Sequence, residues 1–263
     1  NNNTGVGQSA LSGNTTGASN TAMGSGALEN NTTASNNTAF GNFALGVNTT
    51  GANNVAVGPG ALDANTTGSS NNALGVDALG AATTADANNA FGRRALNSCT
   101  TGGGNSAFGH DSGKEITTGS NNVLLGSDAG RSSSPSGSIT TGSNNVVLGN
   151  NNISDAFIKV AFTVTSDQRD KIEDGVVSHG LDFVNQLKPK SFWFRKNRDS
   201  DEKHGDKRYG FYAQDILALE GSDSVIIDSK DSDNLKFKGD QLIPVLVNAI
   251  KELSAKVTAL EAG

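Results

Sequence analysis

The chain is poor in most of what globular domains are built around. Its 263 residues include one Cys, one Trp, two Tyr, one Met and four Pro. The single Cys99 excludes an intrachain disulfide and a multi-thiolate metal site, and it reads as a small buried side chain rather than a nucleophile. No apolar run approaches the roughly 20 residues needed to cross a bilayer, and no charged start followed by an apolar stretch marks a secretory signal. The chain begins at Asn1 without Met, so a segment ahead of it is expected. Charge is scarce in the first 150 residues, which hold four Lys or Arg and seven Asp or Glu. A net charge of −6 with no basic cluster leaves no electrostatic footprint for nucleic acid or an anionic membrane surface. Neither is expected as a partner.

What the chain does have is glycine, 33 residues of it, and a period. Gly7, Gly24, Gly41, Gly58, Gly75, Gly92, Gly109 and Gly126 recur every 17 residues, and Gly149 follows after 23. An Asn stands four residues before each, from Asn3 to Asn145, and an apolar residue directly before each, from Val6 to Leu148. Leu11, Leu28, Leu45, Leu62, Leu79 and Leu96 follow four residues after, until Gly113 and Gly130 break the series. A Thr-Thr pair ends eight residues before each glycine from Gly24 on. The extra residues of the last interval fall near Arg131-Ser132-Ser133-Ser134-Pro135-Ser136, which reads as a loop bulging from one coil.

A 17-residue unit is too short for a helix pair and too regular for a disordered tract, so each unit is read as one coil of a solenoid spanning 1–150. Two short strands per coil are expected, Asn-x-Ala-apolar-Gly and x-x-Ala-Leu, with Thr-Thr-Gly as the return turn. Stacked Asn side chains can bond along the axis. Neighbouring strand positions face opposite ways, so if Ala22 points inward Met23 points outward. Repeated over nine coils this leaves an apolar stripe that soluble monomers avoid. Side-by-side association of parallel chains would cover it.

Other readings of the repeat are weaker. Asn14-Thr15-Thr16 and its copies match a glycosylation sequon, but one repeat makes many matches. Gly102-Gly103-Gly104 does not lie between a strand and a long helix, as a phosphate cradle would. The Thr pairs lack the alternating Thr-x-Thr of a flat ice-binding face.

With segments such as Asn37-Thr38-Ala39-Phe40-Gly41 and Asn54-Val55-Ala56-Val57-Gly58, the repeat resembles the head domains of trimeric autotransporter adhesins. That resemblance implies left-handed β-rolls, three chains side by side. The fold class expected is mainly β: a trimeric parallel β-roll solenoid with 17-residue coils, followed by a small α+β domain.

Residues 151–165 carry Ile153, Phe157, Ile158, Val160, Phe162 and Val164 and read as a β-rich neck. From Ser166 the composition is that of an ordinary globular domain, 166–263. Leu181, Val184 and Leu187 have helical spacing up to Pro189, and Lys190 to Arg195 alternates like a strand. Val225-Ile226-Ile227 and Leu235-Lys236-Phe237 read as short strands. In the tail helix, 240–262, Ile243, Leu246, Ile250, Leu253, Val257 and Leu260 form a coiled-coil seam.

On their own, Ser166 reads as a helix N-cap and Lys171 as a solvated charge. Four motifs in order change that: Ser166-Asp167-Gln168-Arg169-Asp170-Lys171, Leu187-Lys188-Pro189, Gly210-Phe211-Tyr212-Ala213-Gln214, and Leu242 to Leu253. Together they resemble the endosialidase-type intramolecular chaperones found at the C-termini of phage tail fibres and tailspikes. The resemblance implies a homotrimer, folded in register by this domain, and autoproteolysis at Thr165/Ser166. It makes Ser166 the nucleophile and Lys171 the general base. It also implies a virion location, with assembly in the host cytoplasm. A lysine serves as a base only where its surroundings lower its pKa from about 10.4, and residues i and i+5 share no helical face, so the dyad requires a turn.

The second reading is an adhesin rod with a retained, uncleaved chaperone domain, binding a host glycan or protein receptor. Nothing points to an independent glycan-cleaving enzyme, since no paired carboxylates sit on a recognisable scaffold. His179 and His204 lack partners at metal-ligand spacing, so no metal or cofactor is expected.

Overall fold

The computed structural model describes residues 2–159, 166, 168–195, 199–222 and 224–263, with Asp170 as backbone only. The chain divides into two compact units, Asn1–Ile153 and Ser154–Gly263.

The first unit is a parallel β-solenoid with one three-residue strand per coil: β1 (Thr4–Val6), β2 (Thr21–Met23), β3 (Thr38–Phe40), β4 (Val55–Val57), β5 (Asn72–Leu74), β6 (Asn89–Phe91), β7 (Ser106–Phe108), β8 (Val123–Leu125) and β9 (Val146–Leu148). They form one sheet in sequence order, each residue beside its counterpart in the next coil, as Ala22 beside Ala39. The longer β8–β9 interval keeps this register, Leu125 beside Leu148, because the extra residues leave the coil at 131–136. The expected alternation holds: Ala22 is buried while Met23 is about half exposed.

The expected second strand does not form. Its Ala-Leu pair is a turn in which Leu11, Leu28, Leu45, Leu62, Leu79 and Leu96 take φ between 51° and 58°. This lets adjacent residues such as Ala27 and Leu28 both face inward, which strand alternation forbids. Inter-coil bonding survives the turn, with Leu28 N–H donating to the Ala44 carbonyl at 3.1 Å. A leucine in this region is unfavourable by roughly 1–2 kcal/mol, so burial and stacking have to offset it in each coil. The glycine after each strand has a different reason. A Cβ at Gly58, φ +133°, would stand 2.6 Å from the Gly75 carbonyl oxygen.

Two columns of Asn fill the polar side of the interior. In one, Asn37 N–H donates to Asn20 Oδ1 at 3.0 Å and its amide donates to the Gly51 carbonyl at 2.9 Å, a pattern repeated down the rod. In the other, Asn31, Asn48 and Asn65 each donate to the Oδ1 of the Asn one coil before, at 2.9, 2.9 and 2.8 Å. Asn31, Asn48 and Asn65 are sequon copies and fully buried, so no glycan can reach these three in the folded chain, while Asn14 at the head of the column is half-buried. The column then passes through Ala82 and Cys99 to Ile116 and Ile139, all buried. Each first Thr of a pair donates to the next coil's Thr carbonyl, as Thr49 does to Thr66 at 2.9 Å.

In the second unit, α1 (Leu181–Gln186), α2 (Ala213–Glu220) and α3 (Leu242–Glu261) surround a small core of Phe183, Ile216, Ile226, Ile227, Leu242 and Val245. β10 (Lys190–Arg195) pairs antiparallel with β11 (Lys203–Gly210), a strand the apolar pattern does not announce because it reads Lys-His-Gly-Asp-Lys-Arg-Tyr-Gly. β12 (Ile227–Asp228) pairs with β13 (Lys236–Phe237). The buried Glu220 carboxylate closes the turn after α2, accepting from the Val225, Ile226 and Ile227 amides at 2.8, 2.6 and 3.0 Å. Of the expected neck, 151–159 contains no strand. Residues 160–165 lie outside the described residues.

Candidate functional site

Ser166 and Lys171 are brought together by a single 3-10 turn, Gln168–Asp170, closed by Lys171 N–H donating to the Gln168 carbonyl at 3.1 Å. This turn supplies what an α-helix cannot for residues five apart. The Lys171 ammonium nitrogen stands 2.5 Å from Ser166 Oγ and 3.4 Å from the Ser166 carbonyl oxygen. Both residues are exposed in the single chain. Thr165, the other side of the expected scissile bond, lies outside the described residues.

Chemically the pair is a hydroxyl with an amine at hydrogen-bonding distance. An amine in that position can take the hydroxyl proton when neutral, which is the first requirement of a serine nucleophile.

α3 has two faces. Leu242, Val245 and Ala249 are buried within the unit, and Glu252 and Asn248 hold the start of α1. Glu252 accepts the Leu181 N–H at 2.8 Å, and the Asn248 amide donates to the His179 carbonyl at 3.0 Å. Gly180 has no room for a side chain because the Glu252 carboxylate occupies that space. The stripe beside this buried face, about 80° round the helix by the 100° per residue of an α-helix, carries Ile243, Leu246, Ile250, Leu253, Val257 and Leu260, every one exposed. The seam expected from the spacing is therefore present on the helix and uncovered in one chain.

A second cluster escaped the sequence reading because its members belong to different coils. Asp111, itself buried, receives Arg94 through Nη2 at 2.9 Å, with Arg94 Nε also 2.9 Å from Oδ1 but poorly aligned as a hydrogen bond. Arg131 Nη1 adds a contact at 3.2 Å, Lys114 lies at 3.8 Å, and Arg131 also pairs with Asp128 and Glu115. These carboxylates hold the Arg131 guanidinium above its ordinary pKa, Asp128 contributing most. His110, Asp111 and Asp128 offer three donor atoms within 4.8 Å of one another. Asp111 is already committed to cationic side chains, so the donor set suits an ion-pair network rather than a metal.

Residues 166–224 match the family model described as chaperone of endosialidase. This segment contains Ser166, Lys171, α1, the β10–β11 hairpin and α2. The match supports a role in trimerisation and chain folding within a fibre-like protein that carries a β-solenoid. No curated protein and no solved structure matches the chain.

Proposed function

We propose that this chain is the distal part of a bacteriophage tail fibre or tailspike. In this reading residues 166–263 fold and register three parallel chains and then release themselves by cutting the Thr165–Ser166 bond. The observation that carries the reading is the 2.5 Å approach of Lys171 Nζ to Ser166 Oγ inside the family-matched segment.

Neutral Lys171 takes the Ser166 hydroxyl proton, and Oγ attacks the Thr165 carbonyl carbon. The Thr165–Ser166 C–N bond breaks and its nitrogen takes up a proton, leaving Thr165 esterified to Ser166 Oγ. One water then hydrolyses the ester to give a Thr165 carboxylate and a free Ser166 amine. Because both groups are exposed in one chain, the reading includes their coverage by neighbouring chains before the cut.

Registration is the physical need that such a domain meets. A 17-residue repeat can pair with a neighbour one coil out of step at little local penalty, and non-local β-pairing is slow. A trimeric C-terminal domain sets the alignment from one end. The half-exposed row Val6, Met23, Leu74, Phe108, Leu125 and Leu148 is the surface that parallel chains would bury.

The test is intact mass and SDS gel of the wild type beside Ser166→Ala and Lys171→Ala. A fragment pair from the wild type, with full-length chain from both variants, is the expected result. Full-length chain from all three would favour a retained, uncleaved chaperone on a host-binding rod. A monomer in solution would overturn the assembly.

A further inference from the structure

Three features of the solenoid change at the same place along it. The first is the backbone. Up to residue 96 the positive-φ positions include six leucines, Phe43, Ala87 and Arg94, side chains that resist this region, beside tolerant ones such as Asn36, Asn53 and Asp77. Beyond residue 96, among the described residues, the non-glycine positions with positive φ are Asp111, Asn121, Asp128 and Asn144. Asp and Asn tolerate the left-handed region because a short polar side chain can bond locally. The leucine column itself passes to Gly113 and Gly130, where the conformation carries no such penalty.

The second change is in the core. Most earlier coils bury one leucine and small residues, but the coil of β8 buries both Leu124 and Ile139. Leu124 extends over Gly113 and Gly130, filling the volume that the leucine column gave up. The Asn column has become Ile116 and Ile139 by this point, exchanging a polar ladder for aliphatic contact. The third change is electrostatic. Asp111 and Glu115 of the β7 coil are joined to Asp128 and Arg131 of the β8 coil, and Arg94 ties the preceding coil to Asp111, whereas the earlier coils are nearly uncharged.

We propose that the coils of β7 and β8 with strand β9, 105–149, are where the rod begins to fold, and that the coils before them add onto this end in the order C-terminus to N-terminus. A stacked array is stabilised by intrinsic coil terms and nearest-neighbour interfaces, and it nucleates where the intrinsic term is least unfavourable. Coils that force leucine into a left-handed conformation are poor starters, since their compensation comes from a surface already formed. Coils with Asp, Asn and Gly at those positions, two branched aliphatics and an ion-pair network lack that handicap. The inference is drawn from the solenoid and does not depend on what residues 166–224 do.

The experiment is pulsed hydrogen–deuterium exchange with mass spectrometry during refolding of the full chain bearing Ser166→Ala, which keeps both units on one polypeptide. Amides of 105–149 are expected to become protected at least about threefold faster than those of 21–74. Leu124→Ala should then slow protection throughout the rod, while Leu28→Ala, at an equally buried leucine, leaves the rate in 105–149 within about twofold of the parent. Protection arising first in 21–74, or in all coils together, overturns the proposal, as does a slowing of 105–149 by Leu28→Ala. If the denatured chain does not refold, native-state exchange decides. Protection rising towards 105–149 supports the proposal, and a flat or reversed gradient overturns it. Light scattering on the same samples separates the outcomes: a monomer that keeps this order of protection counts against the trimer alone.

Discussion

Leu124 occupies the space that a side chain at Gly130 would need. The two positions therefore form one packing unit divided between strand and turn, and they should behave as a coupled pair. Leu124→Ala alone leaves a cavity and is expected to cost about 2–5 kcal/mol. Gly130→Leu alone overfills the site and adds left-handed strain at φ +78°. The double variant restores the Ala-and-Leu arrangement of the earlier coils, so its cost should fall at least about 1 kcal/mol below the sum. Chemical denaturation of the four proteins of the cycle measures this, and simple additivity would contradict the packing described.

Asn65 ends its ladder because Ala82 follows it. Its Oδ1 is buried without a hydrogen-bond partner, whereas Asn48 Oδ1 accepts from Asn65 at 2.8 Å. Ala82→Asn should supply the absent donor and stabilise the rod by about 0.5–1.5 kcal/mol. Asn48→Ala should do the reverse, breaking the column and leaving buried amide groups unsatisfied at a cost of about 2 kcal/mol or more. Thermal unfolding of both variants checks the pair. Destabilisation by Ala82→Asn would mean the column has no room for another amide.

The two faces of α3 predict two different failures. Ile250→Asp with Leu253→Asp changes exposed residues, so helix content should persist while light scattering reports a smaller assembly. Ala249→Asp places a charge on the buried face and should unfold the C-terminal unit, at about 3 kcal/mol or more. Unchanged oligomer mass in the first variant would show that this seam is not an interface.

Burial pushes the Cys99 thiol from near 9 up to about 11. The folded chain therefore keeps a proton that the unfolded chain releases. Stability from this site is fully present below about pH 9 and declines as the pH rises towards about 11, by at most about 2–3 kcal/mol. Cys99→Ala removes that slope. Denaturation of wild type and variant at pH 8 and pH 10.5 should give a difference that narrows or reverses in favour of the variant at the higher pH; parallel curves would contradict it.

Much of the fold could be read from residue order because it is periodic. A strict 17-residue repeat has one economical structure, a stack of equivalent coils, and the Ala-apolar pair states which side of each strand faces inward. The spacing of Ile243 to Leu260 likewise announces a helix with one apolar seam. The sequence pattern did not reveal that the Ala-Leu segment is a left-handed turn, because hydrophobic pattern reports burial and not the sign of φ. β11 was hidden for a related reason, its alternation being replaced by charged residues on an exposed hairpin.

The sequence by itself determined the period and the inward and outward rows. It put the change of composition at Ser166, whereas the compact units divide at Ile153, and Ser166 and Lys171 were singled out by family resemblance rather than by pattern. Only the tertiary structure decided which distant residues meet. The 3-10 turn sets Lys171 against Ser166. The stacking of coils places Arg94, Asp111 and Arg131 in one network and Leu124 over Gly113 and Gly130. Periodicity repeats along the chain and is therefore visible in it. A contact between one coil and the next depends on the rise and turn of the backbone, which no single residue encodes.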